Sequence, residues 1–495
     1  MNTLLKRILL TSGGARKLKF YSLMSTNTAT EEMLNVSVPE PSSPCQTDDG
    51  SCIYTQGSIP DVARDIISKR HTEDDAFFVC DLRDITRKVI LWKECLPRIE
   101  PFYAIKSCRD PVALNALNNL GISFDCANKL EMSAVLNMGV SPDRIVLAST
   151  VKGSWDIDFA LKHKITLMSF DSVEELAKVK DKNVRLLLRI KADETGSYSM
   201  FHNKFGVPFS DAKRVLQGAQ AMGCNVVGVS FHIGSAYETP ETFSRTIETA
   251  KAVFDVAASM GTYMTVLDIG GGFPGGLRKR DNFLKVCENI RSATDLLFPA
   301  SSGVQLIAEP GQFFITSCYA LVVQVIGKRR RDLVVDGISQ PHQDVFINES
   351  KNNCVSRHLY NFLDVGYWPL QDPLERPHDM LTTVWGGTCD PGDCIDITKP
   401  LFDVSVGEWL LMDNIGAYAL NNATGFNGAP FPAVHYIVPE DSVSFVRHIL
   451  AASPLRSGYS QPEGALKKAV LDLWKSEAAR RNSRIMVPSS VVRPC

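Results

Sequence analysis

The 495-residue chain contains no run of 18 apolar residues, so no transmembrane helix is expected. It contains no Cys-x-x-Cys pair and no regular cysteine spacing. Its 13 cysteines, an odd number, therefore read as reduced thiols of an intracellular protein, and neither a disulfide framework nor a zinc site is expected. Net charge is nearly absent at −2, so no bias toward nucleic acid or an anionic membrane surface is expected. Acidic residues are missing from the first thirty positions, where Lys6, Arg7, Arg16, Lys17 and Lys19 precede Glu31.

Leu4, Leu5, Ile8, Leu9 and Leu10 interleave with those bases, a pattern similar to a mitochondrial presequence. A plain tail upstream of a second start at Met24 fits the same composition, and the expected location is cytoplasmic, with the mitochondrion as the alternative. The Pro-, Ser- and acid-rich stretch that follows, including Pro39-Glu40-Pro41-Ser42-Ser43-Pro44, reads as flexible. Residues 1–56 are accordingly expected to be a disordered leader.

What is present after Gly57 is a 44% apolar, 22% charged chain, ample for more than one core. Strand-like runs at 77–80, 101–105, 123–125, 144–147, 166–169, 184–190, 226–232, 265–269 and 304–308 alternate with helical patterns. The helical patterns lie at 85–96, 111–120, 129–138, 154–162, 172–179 and 240–260. Such alternation implies parallel strands joined by crossover helices, and roughly eight repeats imply a TIM-like (β/α)8 barrel over about 80–318. Beyond Pro310 the pattern turns β-rich, at 321–328, 332–336, 380–385, 408–412 and 433–438. An all-β, Greek-key-like second domain is expected from 57–79 together with 319–440. Residues 441–495 are expected to hold a helix over 464–481 and a basic tail.

Several polar residues fall at expected strand C-terminal ends, where barrel enzymes place their chemistry. Lys106 follows the strand ending Pro101-Phe102-Tyr103-Ala104-Ile105, though on position alone a solvated surface lysine is the plainer reading. His232 and Ser235 lie in Ser230-Phe231-His232-Ile233-Gly234-Ser235, suited to packing on a flat ligand or to a satisfied core histidine. Gly270, Gly271 and Gly272 follow an apolar strand, so backbone N–H groups can approach an anion closely; a tight loop is the plainer reading. Ala308-Glu309-Pro310-Gly311 sets a carboxylate where it can meet a protonated ring nitrogen. Thr388-Cys389-Asp390 and Gly416-Ala417-Tyr418 are weak signals alone.

In this order, and with Phe124-Asp125-Cys126-Ala127, Lys204-Phe205-Gly206 and Phe426-Asn427-Gly428, these segments make the chain resemble eukaryotic ornithine decarboxylase. That family has the alanine-racemase-like fold and uses pyridoxal 5'-phosphate (PLP). The resemblance runs from about Gly57 to Pro439. The group includes diaminopimelate and arginine decarboxylases and the non-catalytic antizyme inhibitors.

The resemblance implies a role for each matching residue. Lys106 matches the lysine that forms the Schiff base with the cofactor, and Asp125 the acid beside it. His232 matches the residue stacked on the ring, and Glu309 the carboxylate on the ring nitrogen. Ser235, Gly270, Gly271, Gly272, Gly311 and Tyr418 match the phosphate cradle. Cys389 matches the thiol that protonates the substrate carbon after CO₂ loss. Asp364 and Asp390 match the acids that hold the substrate's distal ammonium, supplied in the family, like Cys389, by the neighbouring subunit. The implied protein is a homodimeric PLP-dependent lyase that converts ornithine to putrescine in polyamine biosynthesis. The alternatives are an antizyme-inhibitor-like regulator and a decarboxylase of lysine, arginine or leucine. Phe159 to Lys180 matches the family's antizyme-binding region.

Departures from the pattern are specific. Gln312 stands where the family has the arginine that grips the phosphate, and Met200 where it has a second active-site arginine. One charged hydrogen bond of this kind contributes ~1.5–3 kcal/mol, or ~10–150-fold in affinity. Residues 338–343 replace a shorter loop, and Asp364 is followed by Val-Gly-Tyr rather than His-Ala-His.

Overall fold

The computed structural model describes residues 45–46, 51–70, 75–192, 203–235, 239–335, 337–355 and 364–452. Strands β1 (Cys45–Gln46) and β2 (Cys52–Tyr54), helix α1 (Ile59–Lys69), strand β3 (Phe77–Asp81) and helix α2 (Leu82–Cys95) lead into the barrel. The barrel strands are β4 (Ile99–Ala104), β5 (Ser123–Cys126), β6 (Ile145–Leu147), β7 (Leu167–Phe170), β8 (Arg185–Arg189), β9 (Asn225–Ser230), β10 (Val266–Asp268) and β11 (Gln305–Ala308). Between them run α3 (Pro111–Asn119), α4 (Lys129–Asn137), α5 (Ser154–Lys162), α6 (Val173–Leu176), α7 (Phe209–Ala221), α8 (Glu241–Ser259) and α9 (Arg280–Leu297), with the short α10 (Gln312–Ile315) after β11. All eight strands pair in parallel and close, β11 against β4. The expected TIM-like barrel is thus present.

Helix starts coincide with strand ends because a capping side chain sits at the turn. Asp81, Asp110, Asn128 and Ser172 accept from the backbone N–H groups of Arg83, Val112, Glu131 and Glu175. Each satisfies an orphan N–H of the first helical turn. Three helices not expected from the sequence pattern, α1, α7 and α9, are amphipathic, each burying one stripe of residues, such as Ala212, Val215, Leu216 and Ala219 of α7.

Period-two alternation sorts the barrel residues. Phe102, Val146, Leu167, Leu187, Val266 and Ile307 form a separate apolar cluster inside the barrel. The residues between them, such as Tyr103, Phe124, Met168, Leu186 and Leu267, join the larger core shared with the helices.

The second domain continues as β12 (Tyr319–Val335), β13 (Ile338–Ile347), β14 (Tyr367–Pro369), β15 (Met380–Trp385), β16 (Cys394–Leu401), β17 (Trp409–Met412) and β18 (Ala433–Ile437), followed by α11 (Val443–Ala452). With β1–β3 these strands make a ten-stranded mixed sheet ordered β1-β2-β18-β3-β12-β13-β15-β16, with β17 pairing β12 and β14. Phe77, Val79, Val322, Trp409 and Leu411 of this sheet pack against Val62, Ala63 and Ile66 of α1.

Three boundaries differ from expectation. Strands β1 and β2 fall inside the stretch expected to be leader, and β2 pairs β18 in parallel, so the ordered sheet begins before residue 57. The two strands expected at 321–328 and 332–336 are one, since Arg329 and Arg331 within it reach the buried carboxylate of Asp344 on β13. The charged run 329–331 between the two expected strands is therefore itself paired strand. Helix α11 buries Val446, Ile449 and Leu450 where no helix was expected. The helix expected at 464–481 lies outside the described residues. Among those described, no helix is long and apolar enough to cross a membrane.

The sheet is fixed to the barrel by a buried polar joint: Tyr319 and Tyr436 both donate to Asp110 Oδ2, at 2.6 and 3.0 Å. Because Asp110 also caps α3, this joint sets the sheet's position relative to the end of β4, where Lys106 stands.

Candidate active site

The interior face that is apolar halfway up the barrel becomes charged one level higher. Two residues beyond Leu187, Val266 and Ile307 stand Arg189, Asp268 and Glu309, and four beyond Phe102 stands Lys106. Pairing sets Asp125 beside Ala104, and Ser230 beside both Arg189 and Asp268. The mouth therefore carries the carboxyls of Asp125, Asp268 and Glu309 against the cations Lys106 and Arg189.

Lys106 Nζ lies 3.1 Å from Asp125 Oδ2. Loss of water pulls the ammonium's pKa down, but Asp125 and Glu309 outweigh this and hold it above the usual lysine range. Its side chain is 46% accessible, and Asp125, Glu309 and Tyr418 stand close enough to act on its charge. Asn421 fastens the turn that carries it, donating to the carbonyls of Ile105 and Lys106 and accepting from the N–H of Arg109.

Asp268 is wholly buried. Its Oδ1 accepts from Gly270 N–H at 2.9 Å, while its Oδ2 has no hydrogen bond of ordinary geometry. Burial pushes its pKa up to about 7. Burial, with Asp268 and Asp125 as like-charged neighbours, pushes Glu309 well above the usual carboxyl range. Two buried carboxyls on adjacent strands disfavour each other's ionisation, which raises both.

His232 is held below its ordinary value by burial, then by Arg189 and Lys106. Its Nδ1 accepts from Gly234 N–H at 3.0 Å, so the neutral ring carries its proton on Nε2. The glycines are required by contact. A Cβ on Gly271 would fall 2.7 Å from Glu309 O and 2.8 Å from His232 Nε2. On Gly270 and Gly272, both at positive φ, it would meet the carbonyls of Phe231 and Gly234 at 2.0 and 2.3 Å. Gly311 packs on Ala104 and Ser107 of the lysine turn. Tyr418 adopts a left-handed backbone with φ 61 and donates its N–H to Ser107 O at 2.6 Å. For a non-glycine residue that geometry persists only when surrounding contacts impose it. Ser235 stands three residues beyond His232.

Gln312 does not stand in for a cation. Its Nε2 donates to the carbonyls of Phe273 and Gly272, at 3.1 and 3.4 Å, bracing the glycine loop from the side. Met200 lies outside the described residues. Arg189, unlike Lys106, does not stand out in the sequence, because an arginine ending a strand reads as solvated. Asp268 opens the glycine motif, and strand alternation alone would have pointed it inward.

The remaining candidates lie elsewhere. Cys389 is exposed on the loop after β15. Asp390 beside it accepts from Asn352 Nδ2 at 2.9 Å and Gly392 N–H at 2.8 Å, which lower its pKa. It borders a cavity of about 530 Å³ lined by Lys351, Asn352, Asn422, Thr424 and Phe426. Asp364 pairs with Arg278 of its own chain at 2.7 Å. Among the described residues, none of these three shares a hydrogen bond or ion pair with the barrel-mouth group.

The mouth fits PLP on its own chemistry. It offers a lysine at a strand end, an uncharged imidazole, a glycine loop with no room for side chains, and carboxyls in excess of cations. A protonated ring nitrogen would supply the missing positive charge next to Glu309.

Known proteins agree with this geometry. Residues 82–316 match the pyridoxal binding domain of pyridoxal-dependent decarboxylases. Antizyme inhibitor 2 of Xenopus laevis is 37% identical over 387 residues, covering 77% of this chain and 85% of its own. Ornithine decarboxylase of Rattus norvegicus is 34% identical over 402 residues, covering 78% and 87%. The crystal structure of Paramecium bursaria Chlorella virus arginine decarboxylase bound to agmatine superimposes with a TM-score of 0.69 and 32% identity, covering 76% of this chain and all of the other.

Proposed function

Because the chain belongs to the eukaryotic ornithine decarboxylase family, which includes the antizyme inhibitors, we propose that it is a PLP-dependent amino-acid decarboxylase, with ornithine to putrescine as its reference reaction. The observation that carries this is the charged layer of the barrel mouth, where Lys106, Asp125, Asp268, Glu309 and Arg189 converge beside neutral His232.

Lys106 would carry the cofactor covalently, Glu309 would face its ring nitrogen, and the loop of Gly270 to Gly272 with Ser235, Gly311 and Tyr418 would surround its phosphate. Bound there, PLP would supply an electron sink for the pair left on the substrate when CO₂ departs. The protein's part is to place charge and protons. Asp125, 3.1 Å from Lys106 Nζ, is positioned to receive a proton when the amine must act as a nucleophile. Burial and mutual repulsion hold the pKa values of Asp268 and Glu309 up at the deep end of the site. His232, held neutral, packs without adding charge. Cys389 would return a proton to carbon, and Asp390 and Asp364 would face the far end of the substrate.

In this reading Cys389, Asp390 and Asp364 serve the neighbouring subunit of a homodimer. The barrel is the cofactor domain and the sheet completes the site. Antizyme is a candidate partner through Phe159 to Lys180. The location we propose is the cytoplasm, with the basic first residues as grounds for testing the mitochondrion.

A second reading, an antizyme-inhibitor-like regulator, is favoured by one observation. Gln312 is turned onto the glycine loop and offers no charge to an anion. One experiment separates the two. Protein purified with PLP should show a visible absorption band that is lost in Lys106→Ala, and should release CO₂ from labelled ornithine, lysine, arginine or leucine. A band without CO₂ release, together with antizyme binding, supports the regulator; no band at saturating PLP contradicts the enzyme.

A further inference from the structure

Both aspartates expected to hold a substrate's distal ammonium already have a cation from their own chain. Arg278, on the loop that follows the glycines, places Nε 2.7 Å from Asp364 Oδ2, and its Nη2 also donates to the Asp364 carbonyl. Its Nη1 and Nη2 each lie 2.9 Å from an oxygen of Asp413. Asp413 is fixed in turn by the N–H of Gly366 and by Trp368 Nε1, both at 2.8 Å. Asn414 closes the unit, donating to Asp364 O and accepting from Leu277 N–H, both at 2.9 Å. Every edge of the guanidinium is therefore used, and Arg278 is held rather than free to swing away. At the other acid, Lys351 Nζ lies 3.7 Å from Asp390 Oδ2, and Asn352 and Gly392 donate to the same carboxylate.

We propose that Arg278 and Lys351 are specificity-determining residues that take up the charge of Asp364 and Asp390, so that the site admits amino acids with uncharged side chains. The proposal rests on the decarboxylase reading and names its substrate class. A pocket ending in unpaired polar groups rejects a chain that leaves them unmatched by ~10⁴–10⁵-fold, whereas one that recognises only size and shape discriminates by ~10–200-fold. Carboxylates already paired lose nothing when the substrate brings no ammonium. An ammonium, in turn, would meet Arg278 and Lys351 as like charges.

The test is the ratio of kcat/KM for L-ornithine to that for L-norvaline, which has the same carbon chain without the distal amine, using PLP-loaded protein. The wild-type ratio is expected below ~10³, and Arg278→Gln with Lys351→Gln should raise it at least ~10-fold. Arg278→Lys, which keeps the charge, should leave it near the wild-type value. A wild-type ratio of ~10⁴ or more overturns the proposal, as does an unmoved ratio in a double variant of wild-type melting temperature. Should the double variant not fold, Lys351→Gln alone must move the ratio in the same direction, and no movement overturns the proposal. For protein that binds PLP but releases no CO₂, the ratio of calorimetric affinities for 1,4-diaminobutane and butylamine replaces the kinetic ratio, and the same thresholds support or overturn the proposal. Absence of the Lys106-dependent visible band instead overturns the decarboxylase reading, and this proposal with it.

Discussion

The barrel mouth and the loops of the sheet domain hold functional candidates in different ways. At the mouth, Asp125, Arg189 and Asp268 are set by the two-residue alternation of paired parallel strands, and Lys106 and Glu309 follow directly on the ends of β4 and β11. On the sheet, Cys389, Asp390 and Asp364 lie on irregular segments placed by individual side-chain contacts. The first arrangement is rigid and keeps the chemistry common to a family. In the second, a single contact, such as the one Arg278 of the barrel makes to Asp364, can change what the site accepts.

The largest expected effect breaks the mouth outright. Lys106→Ala should reduce CO₂ release to the uncatalysed background and abolish the visible band, without lowering the melting temperature. Retained turnover would mean that the mouth is not the site. Next, Gly271→Ala places a Cβ 2.7 Å from the Glu309 carbonyl. Overpacking of this kind costs about 1–3 kcal/mol, read as a lower urea midpoint, and should weaken PLP binding as well. A variant with wild-type stability would show that the loop yields and that the mouth is less rigid than its contacts suggest.

Gln312→Arg tests the borderline between the two regions. Restoring one charged hydrogen bond to a phosphate should lower the PLP dissociation constant by ~10–150-fold. An unchanged constant would assign Gln312 solely to bracing Gly272 and Phe273. Asp268→Asn is subtler. The folded pKa of about 7 lies above the unfolded carboxyl value, so the stability tied to this group is fully present at low pH. It is lost as pH rises from about 4 through 7. In cofactor-free protein the variant should flatten that decline by on the order of 1 kcal/mol between pH 5 and pH 8. An equal decline in both proteins would place the proton elsewhere. The smallest effect belongs to the exposed pair of Arg330 and Asp403 on the sheet. Arg330→Ala should change stability by less than about 1 kcal/mol.

The barrel is legible in the sequence because its signal repeats, and the helix expected over Ser154–Lys162 matches α5 residue for residue. Asp268 and Arg189 are present in the pattern without standing out. Each ends a strand, and only the pairing of both strands with Ser230 shows that they face the same interior. The role of Arg278 is not readable from sequence, since its partners lie 86 and 135 residues away along the chain. The strand through Lys328-Arg329-Arg330-Arg331-Asp332 reads as a break between two strands for a similar reason: its charges are satisfied by Asp344 and Asp403, which no local pattern reveals.

The central claim is that the charged barrel mouth holds PLP on Lys106. Borohydride reduction of the PLP-loaded protein, followed by peptide mass analysis, tests it directly. A phosphopyridoxyl adduct confined to the peptide containing Lys106, and reduced in yield by Glu309→Ala, is the result expected. An adduct on another lysine, or none at saturating PLP, would contradict it.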